Sequence, residues 1–276
     1  MLFHCCPELK VLSLVLSKNV EIECDPSDTL RTSAKKLKFL KLNWSGSEKV
    51  VEEICKVAVG LEELHLLKLP SLLSSSLPEL KVLALKEMPS EDLNGKWLVQ
   101  FPNLMSFIWQ GSGTREKLNI FNGSKITELH FSLNYVHPFV PVSNLTSLKL
   151  SGNLSNENDE QDESWTVSKC VEFLQQQCST LKRLHLDCGF ETREKILKFI
   201  AEKCRHLELL NISLCTVEQW KLFCQLRKSS GNVENKLRIL TNAKINWDLL
   251  LDSNVVTFGG IEPWVHCDRY QKYVQY

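Results

Sequence analysis

The sequence predicts an α/β solenoid: short parallel strands stacked along one face, with helices or extended segments crossing back along the other. Three observations carry this. First, the pattern LxxLxL, apolar at each L, starts at Leu9, Leu37, Leu61, Leu80, Leu104, Ile126, Leu145, Leu181 and Leu207, and a tenth copy is read from Leu237. Self-similarity at intervals of about 20–50 residues marks a repeat array. Second, the last two apolar residues of each copy flank a position that points the other way, the strand period of two. Third, the longer intervals hold apolar residues at helical spacing. The expected architecture is a horseshoe of about ten irregular repeats over residues 1–250, its parallel sheet on the concave face. Residues 251–276 form a C-terminal capping segment or tail.

Taken in order, the elements have local reasons. The strand pattern is clearest at Leu9-Leu12-Leu14, Leu37-Leu40-Leu42, Leu80-Leu83-Leu85, Leu145-Leu148-Leu150 and Leu181-Leu184-Leu186. Between the second and third copies, Glu48 to Val59 carries Val50, Val51, Ile54, Cys55 and Ala58 on one stripe, and Ser47 is a suitable N-cap. The 19-residue intervals from Leu61 to Leu80 and from Ile126 to Leu145 contain Pro70, Pro78, Pro138 and Pro141. They are too short for a full helix and should cross in extended or 3₁₀ conformation.

The 36-residue interval after Leu145 holds an apolar-free acidic run, Asn156 to Ser164. It reads as a solvated loop, without the D-x-D-x-D-G spacing of a calcium loop. A helix then follows from Val167 to Cys178, with Val167, Val171, Leu174 and Cys178 inward. Thr192 caps a segment carrying Ile196, Leu197, Ile200 and Cys204. Thr216 and Gln219 make a capping box before Trp220, Phe223 and Cys224. After Val255 no copy of the pattern remains. Phe258 and Trp264 are expected to cover the last core layer; the alternative is an aromatic tail that folds along the concave face or binds a partner.

Composition narrows the function. The chain has 276 residues with 33 Lys plus Arg and 33 Asp plus Glu, a net charge of zero. That balance argues against a nucleic-acid or anionic-membrane surface. No run of about 20 apolar residues suggests a transmembrane helix, and MLFHCCPELK lacks the pattern of a secretory signal. The 11 Cys are odd in number, and Cys6, Cys178 and Cys204 each stand three residues before the first Leu of a copy. A thiol recurring at one register fills a structural slot, as a small buried hydrophobe, which fits a reducing cytoplasm or nucleus. The sequons at Asn43, Asn122, Asn144, Asn153 and Asn211 would matter only in a secreted protein.

No catalytic signature is present: no phosphate loop, no H-E-x-x-H, no G-x-S-x-G and no C-x-x-C. No enzyme activity, cofactor or metal is expected. His65, His130 and His185 share one slot, between the second and third apolar positions. With strands about 4.8 Å apart, the first two should lie roughly 14 Å from each other, too far to share an ion. They read instead as contact residues on the concave face. The same register puts Val11, Val15, Phe39, Leu67, Val82 and Ile108 there, which reads as an exposed apolar patch of the kind that binds protein. The expected protein-binding residues are Val11, Phe39, Lys41, His65, Leu67, Val82, Ile108, His130, Arg183 and His185.

The units Cys6-Pro7-Glu8-Leu9-Lys10-Val11-Leu12-Ser13-Leu14, Cys178-Ser179-Thr180-Leu181-Lys182-Arg183-Leu184-His185-Leu186 and Cys204-Arg205-His206-Leu207-Glu208-Leu209-Leu210-Asn211-Ile212 are similar to the cysteine-containing repeats of F-box/leucine-rich-repeat proteins. The resemblance runs from Cys6 to about Ala243. It implies the substrate-recognition part of a cullin-RING ubiquitin ligase: repeats that hold a protein substrate while other subunits transfer ubiquitin. Adaptor and cullin subunits are the implied partners if an F-box exists upstream, since the first repeat begins at Cys6 and leaves no room for one in this sequence. The alternative is a non-ligase scaffold, inhibitor or sensor domain with the same repeats.

Overall fold

The computed structural model describes residues 6, 8–15, 34–43, 48–70, 76–87, 99–109, 125–132, 142, 144–151, 160–187, 193–212, 216–231, 237–240 and 256–259. It is an α/β structure built on parallel strands. The chain divides into two compact units, residues 1–130 with 135–142, and residues 131–134 with 143–276.

In the first unit the strands are β1 (Val11–Val15), β2 (Phe39–Asn43), β3 (Glu63–Lys68), β4 (Val82–Glu87), β5 (Ser106–Trp109) and the start of β6 (Glu128–Ser132). They pair in parallel and in chain order. The register equates the second and third apolar positions of each copy: Leu12↔Leu40↔Leu64↔Leu83↔Phe107↔Leu129, and Leu14↔Leu42↔Leu66↔Leu85↔Trp109. From Leu40 and Leu42 onward these residues are buried. A parallel pair cannot be joined by a tight turn, so each strand needs a crossing. One crossing carries α1 (Glu48–Val57), whose Val50, Val51, Ile54 and Cys55, with Ala58 just beyond, are buried as the stripe predicts. Ser47, its expected cap, lies outside the described residues.

In the second unit β7 (Ser147–Ser151), β8 (Arg183–Asp187), β9 (Leu209–Ile212), β10 (Leu237–Leu240) and β11 (Val256–Gly259) also pair in parallel and in order. Their crossings carry α2 (Glu160–Gln177), α3 (Arg193–Lys203) and α4 (Val217–Ser229). Ile196, Leu197, Ile200 and Cys204 are buried as expected. Thr216 and Gln219 form the capping box: Gln219 N–H donates to Thr216 Oγ1 at 3.2 Å and Thr216 N–H to Gln219 Oε1 at 3.1 Å. Gly231 follows α4 with φ of 72°, the left-handed conformation that glycine adopts without strain.

One hydrogen-bonding frame recurs. The carbonyl one residue past the first apolar position accepts two N–H groups from the following copy. Lys10 O receives Lys38 and Phe39; Lys38 O receives Glu62 and Glu63; Glu62 O receives Lys81 and Val82. Lys81 O and Met105 O continue the series in the first unit, and Thr146 O and Lys182 O repeat it in the second, all at 2.8–3.1 Å. In six copies the first Leu N–H also bonds back to the carbonyl three residues earlier: Leu9 to Cys6, Leu37 to Ala34, Leu61 to Ala58, Leu80 to Leu77, Leu104 to Phe101 and Leu207 to Cys204.

Four expectations change. The tenth copy is read one residue late: Ile239, not Leu240, pairs with Leu210, and Arg238 pairs with Leu209. The acidic run is not loop throughout, because α2 begins at Glu160. Carboxylates in a first helical turn are favoured by the helix dipole. The buried stripe of α2 is Cys170, Phe173, Leu174 and Gln177, with Val171 and Cys178 only half-buried. Finally, the segment after Val255 contains β11, whose Phe258 pairs with Ile239; Trp264 and the rest of the tail lie outside the described residues.

The cysteine slot is less specific than expected. Three residues before the first Leu stand Ala34, Ala58, Leu77, Phe101, Val142 and Cys204, all buried. Cys6 is exposed, and Cys178 is displaced, because Leu181 N–H turns back to Gln177 O at 3.1 Å. The slot accepts apolar groups from Ala to Phe. All six described cysteines are free thiols. Burial pushes Cys55 and Cys204 up to about 12, so these two are inert hydrophobes near neutral pH.

Candidate functional site

The residues between the conserved-register apolar positions point away from the buried side of each strand. In the first unit this face carries Val11, Ser13 and Val15 on β1; Phe39, Lys41 and Asn43 on β2; Glu63, His65 and Leu67 on β3; Val82, Ala84 and Lys86 on β4. It continues with Ser106 and Ile108 on β5, then Glu128 and His130 on β6. The register is the expected one: Val11 lies beside Phe39, Lys41 beside His65, and Ile108 beside His130.

Exposure differs from the expectation. Phe39, Val82 and Ile108 are 3%, 2% and 4% accessible, and Val82, Ala84 and Ile108 form a buried cluster of their own. The apolar patch expected to lie open is therefore covered at its centre. Val11, Lys41, His65, Leu67 and His130 are half-buried, and Val15, at 71%, is the exposed apolar residue of the face. Around Phe39 the geometry is specific. The His65 ring lies 5.3 Å from the Phe39 ring, tilted by 54°. His65 Nε2–H donates to Glu63 Oε1 at 2.7 Å. Glu63 is the partner that holds the imidazole over the aromatic ring. Its position two residues before His65 on a strand, hence on the same face, is the signal that could have found it. Lys86 Nζ donates to Asn43 Oδ1 at 3.3 Å across the same face.

In the second unit the corresponding face is mixed but more polar. Ser147, Arg183, Leu209 and Arg238 lie in one row across β7, β8, β9 and β10, and Lys149, His185, Asn211 and the buried Leu240 in the next. Lys149, Arg183 and His185 are half-buried and Arg238 is exposed, whereas Ser147 and Asn211 are buried. Burial of Asn211 also rules out a glycan on that sequon in the folded chain. Arg238 and Lys149 were not among the expected contact residues. The late reading of the tenth copy hid Arg238, although the alternation of Leu237 with Ile239 points to its true face.

A second feature of this unit is Arg227, on α4 and fully buried. Its Nη1 donates to Cys204 O at 3.4 Å and its Nη2 to Leu207 O at 3.3 Å, while Nε has no hydrogen-bond partner. Desolvation pushes its pKa down from the usual guanidinium value. The side chain ties α4 to the turn that leads from α3 into β9. Among the described residues no group of three or more His, Cys, Asp or Glu could hold a metal ion, and no helix is long and apolar enough to cross a membrane. No family model matches this chain, and no curated protein is significantly similar to it.

Proposed function

We propose that the chain is a leucine-rich repeat solenoid that binds protein through its strand face, as the substrate-recognition part of an F-box-type cullin-RING ubiquitin ligase in the cytoplasm or nucleus. The observation that carries the reading is the recurrence of one frame. Copy after copy, the same carbonyl accepts the same two N–H groups, and the same apolar positions turn inward. Where the backbone is fixed this way, the side chains between the apolar positions are left to vary, and a row of such positions makes an extended binding surface. Cys204, buried at the turn before β9, supports the likeness to cysteine-containing repeats. On this reading the chain does no bond chemistry; other subunits transfer ubiquitin.

Affinity purification of the full-length chain from cells, with mass spectrometry of the eluate, tests the proposal. Further stable partners are the expected result, together with adaptor and cullin subunits if an F-box exists upstream of the repeats. A stable partner without adaptor or cullin reduces the function to a binding scaffold, and an empty eluate removes the binding reading. A thiol titration under denaturing, non-reducing conditions tests the compartment: close to 11 reactive thiols per chain are expected.

A further inference from the structure

We infer that the chain pairs with a second copy of itself edge to edge, through β1, antiparallel and about a twofold axis at Ser13. The inference stands apart from the protein-binding reading above. Among the described residues β1 ends the strand order, with β2 as its neighbour. The recurring frame sets its phase. Phe39, beside Val11, gives its N–H to Lys10 O, so the β1 groups that face β2 belong to the even-numbered residues. The direction alternates residue by residue along a strand. Val11, Ser13 and Val15 therefore turn their N–H and C=O to the open edge, and Leu12 and Leu14 turn theirs to β2. The core is open there too. Leu9 and Leu14 are half-buried, whereas their counterparts Leu37 and Leu42 are 0% and 3% accessible. Val15 is 71% accessible. The strand carries neither charge nor proline, two of the devices that keep an edge from pairing.

The sequence of the edge selects its occupant. β1 reads Val-Leu-Ser-Leu-Val, the same in both directions. A second copy laid antiparallel and centred on Ser13 sets Ser13 against Ser13, Val11 against Val15 and Leu12 against Leu14. Residues directly opposite in an antiparallel pair share a face. The valines and serines thus meet on the strand face, and the leucines meet on the core side. The backbone phase agrees with this register. Ser13 with Ser13 and Val11 with Val15 are pairs whose polar groups point at each other, so each pair exchanges both of its N–H···O bonds. A slip in register would leave Val11 or Val15 without a counterpart in the strand and set unlike residues together. In the matched register Leu12 of each copy covers Leu14 of the other, at the half-open end of its core. Charge does not oppose the contact. Lys41, beside Ser13 on β2, stands three strand spacings from its counterpart, roughly 14 Å, beyond the screening length of about 8 Å at physiological salt. A twofold contact closes on itself, so the product is a dimer and not a fibre.

Sedimentation velocity of the full chain, from about 1 µM to about 100 µM, tests the inference through mass action. One strand pair buries less than the roughly 1,200 Å² of a standard interface, so a weak dimer is expected, its fraction rising across this range. Ser13→Lys sets like charges face to face across the axis and should weaken the dimer at least about fivefold, and Ser13→Glu should do the same. An equal mixture of the two variants should restore it, because residue 13 faces itself. A general loss of fold would not be rescued in this way. Val99→Lys, at an exposed apolar position outside β1, should leave association unchanged. A chain that stays monomeric throughout the range overturns the inference. So does Ser13→Lys that dimerises like the unaltered chain, or a mixture no more associated than either variant alone.

Discussion

The strand faces of the two units are built on the same register and differ in kind. In the first unit the face places Phe39, Val82, Ala84 and Ile108 at its centre, and all four are buried. In the second the equivalent positions hold Arg183, Lys149, His185 and Arg238, half-buried or exposed, together with half-buried Leu209 and buried Ser147, Asn211 and Leu240. The inward positions scarcely differ: Leu40, Leu64 and Leu83 in one unit correspond to Leu148, Leu184 and Leu210 in the other. Backbone frame and surface character are thus set by separate residues of one short pattern. Residues that turn inward fix the strand, and their neighbours decide whether its far side is covered or available.

Substitutions at five positions break or sharpen this contrast. The largest effect is expected for Phe39→Ala, which should lower stability by about 3 kcal/mol in urea unfolding, the loss typical of truncating a buried aromatic. Arg183→Gln in the same assay should move the midpoint by less than about 0.5 kcal/mol. Equal effects would erase the distinction between a closed face and an open one. Next is Arg227→Met, which keeps the aliphatic stem and leaves the carbonyls of Cys204 and Leu207 without their buried donors. A loss of about 2 kcal/mol is expected, confined to the second unit, so amide exchange should quicken in α4 and β9 and stay unchanged in β2 and β3.

Thr216→Ala removes the acceptor of the capping box and should cost about 1 kcal/mol, read as a lower thermal midpoint; Thr216→Ser should restore most of it. The smallest effect belongs to Glu62, whose carboxylate accepts from Lys81 Nζ at 2.9 Å and pairs with Lys38 Nζ at 3.1 Å. The hydrogen bond from Lys81 lowers its pKa most; burial opposes this, and the hydrogen bond from Lys38 with the charges of both lysines keeps the carboxyl below the usual carboxylate range. A lowered folded-state pKa means the stabilisation is complete above the unfolded value and disappears as pH falls through the folded one. All three side chains meet solvent, so Glu62→Gln should cost under about 0.5 kcal/mol at neutral pH. It should cost nothing in acid below both values, which a pair of urea titrations resolves.

Much of the frame was legible because it depends on neighbours in sequence. The alternation that marks β1 to β9, the stripe of α1 and the Thr216–Gln219 box each need only a few adjacent residues. The tenth copy was misread because Leu237, Ile239 and Leu240 are all buried, and three apolar residues in four fit either phase of a period of two. The start of α2 was missed because its first turn, Glu160 to Glu163, holds no apolar residue to give a period. Exposure of the candidate face was least legible. That Phe39 lies on the face follows from its place in the pattern; that it is buried depends on atoms distant in sequence. The pairing of His65 with Glu63 is intermediate, since spacing allows it and only the fold makes it.

The carbonyl that accepts two N–H groups has a consequence for how such a chain can change its length. From the residue after the first apolar position of a copy to the end of its strand, the backbone pairs in fixed register with the neighbouring copies. One residue added between Leu61 and Leu64 would strip both donors from Lys38 O and turn the rest of β3 inside out. One residue added in a crossing would leave the spacing within each copy unchanged. Intervals as unequal as 19 and 36 residues can therefore coexist in one chain, with insertions and losses collecting in the crossings while the strand segments keep their spacing.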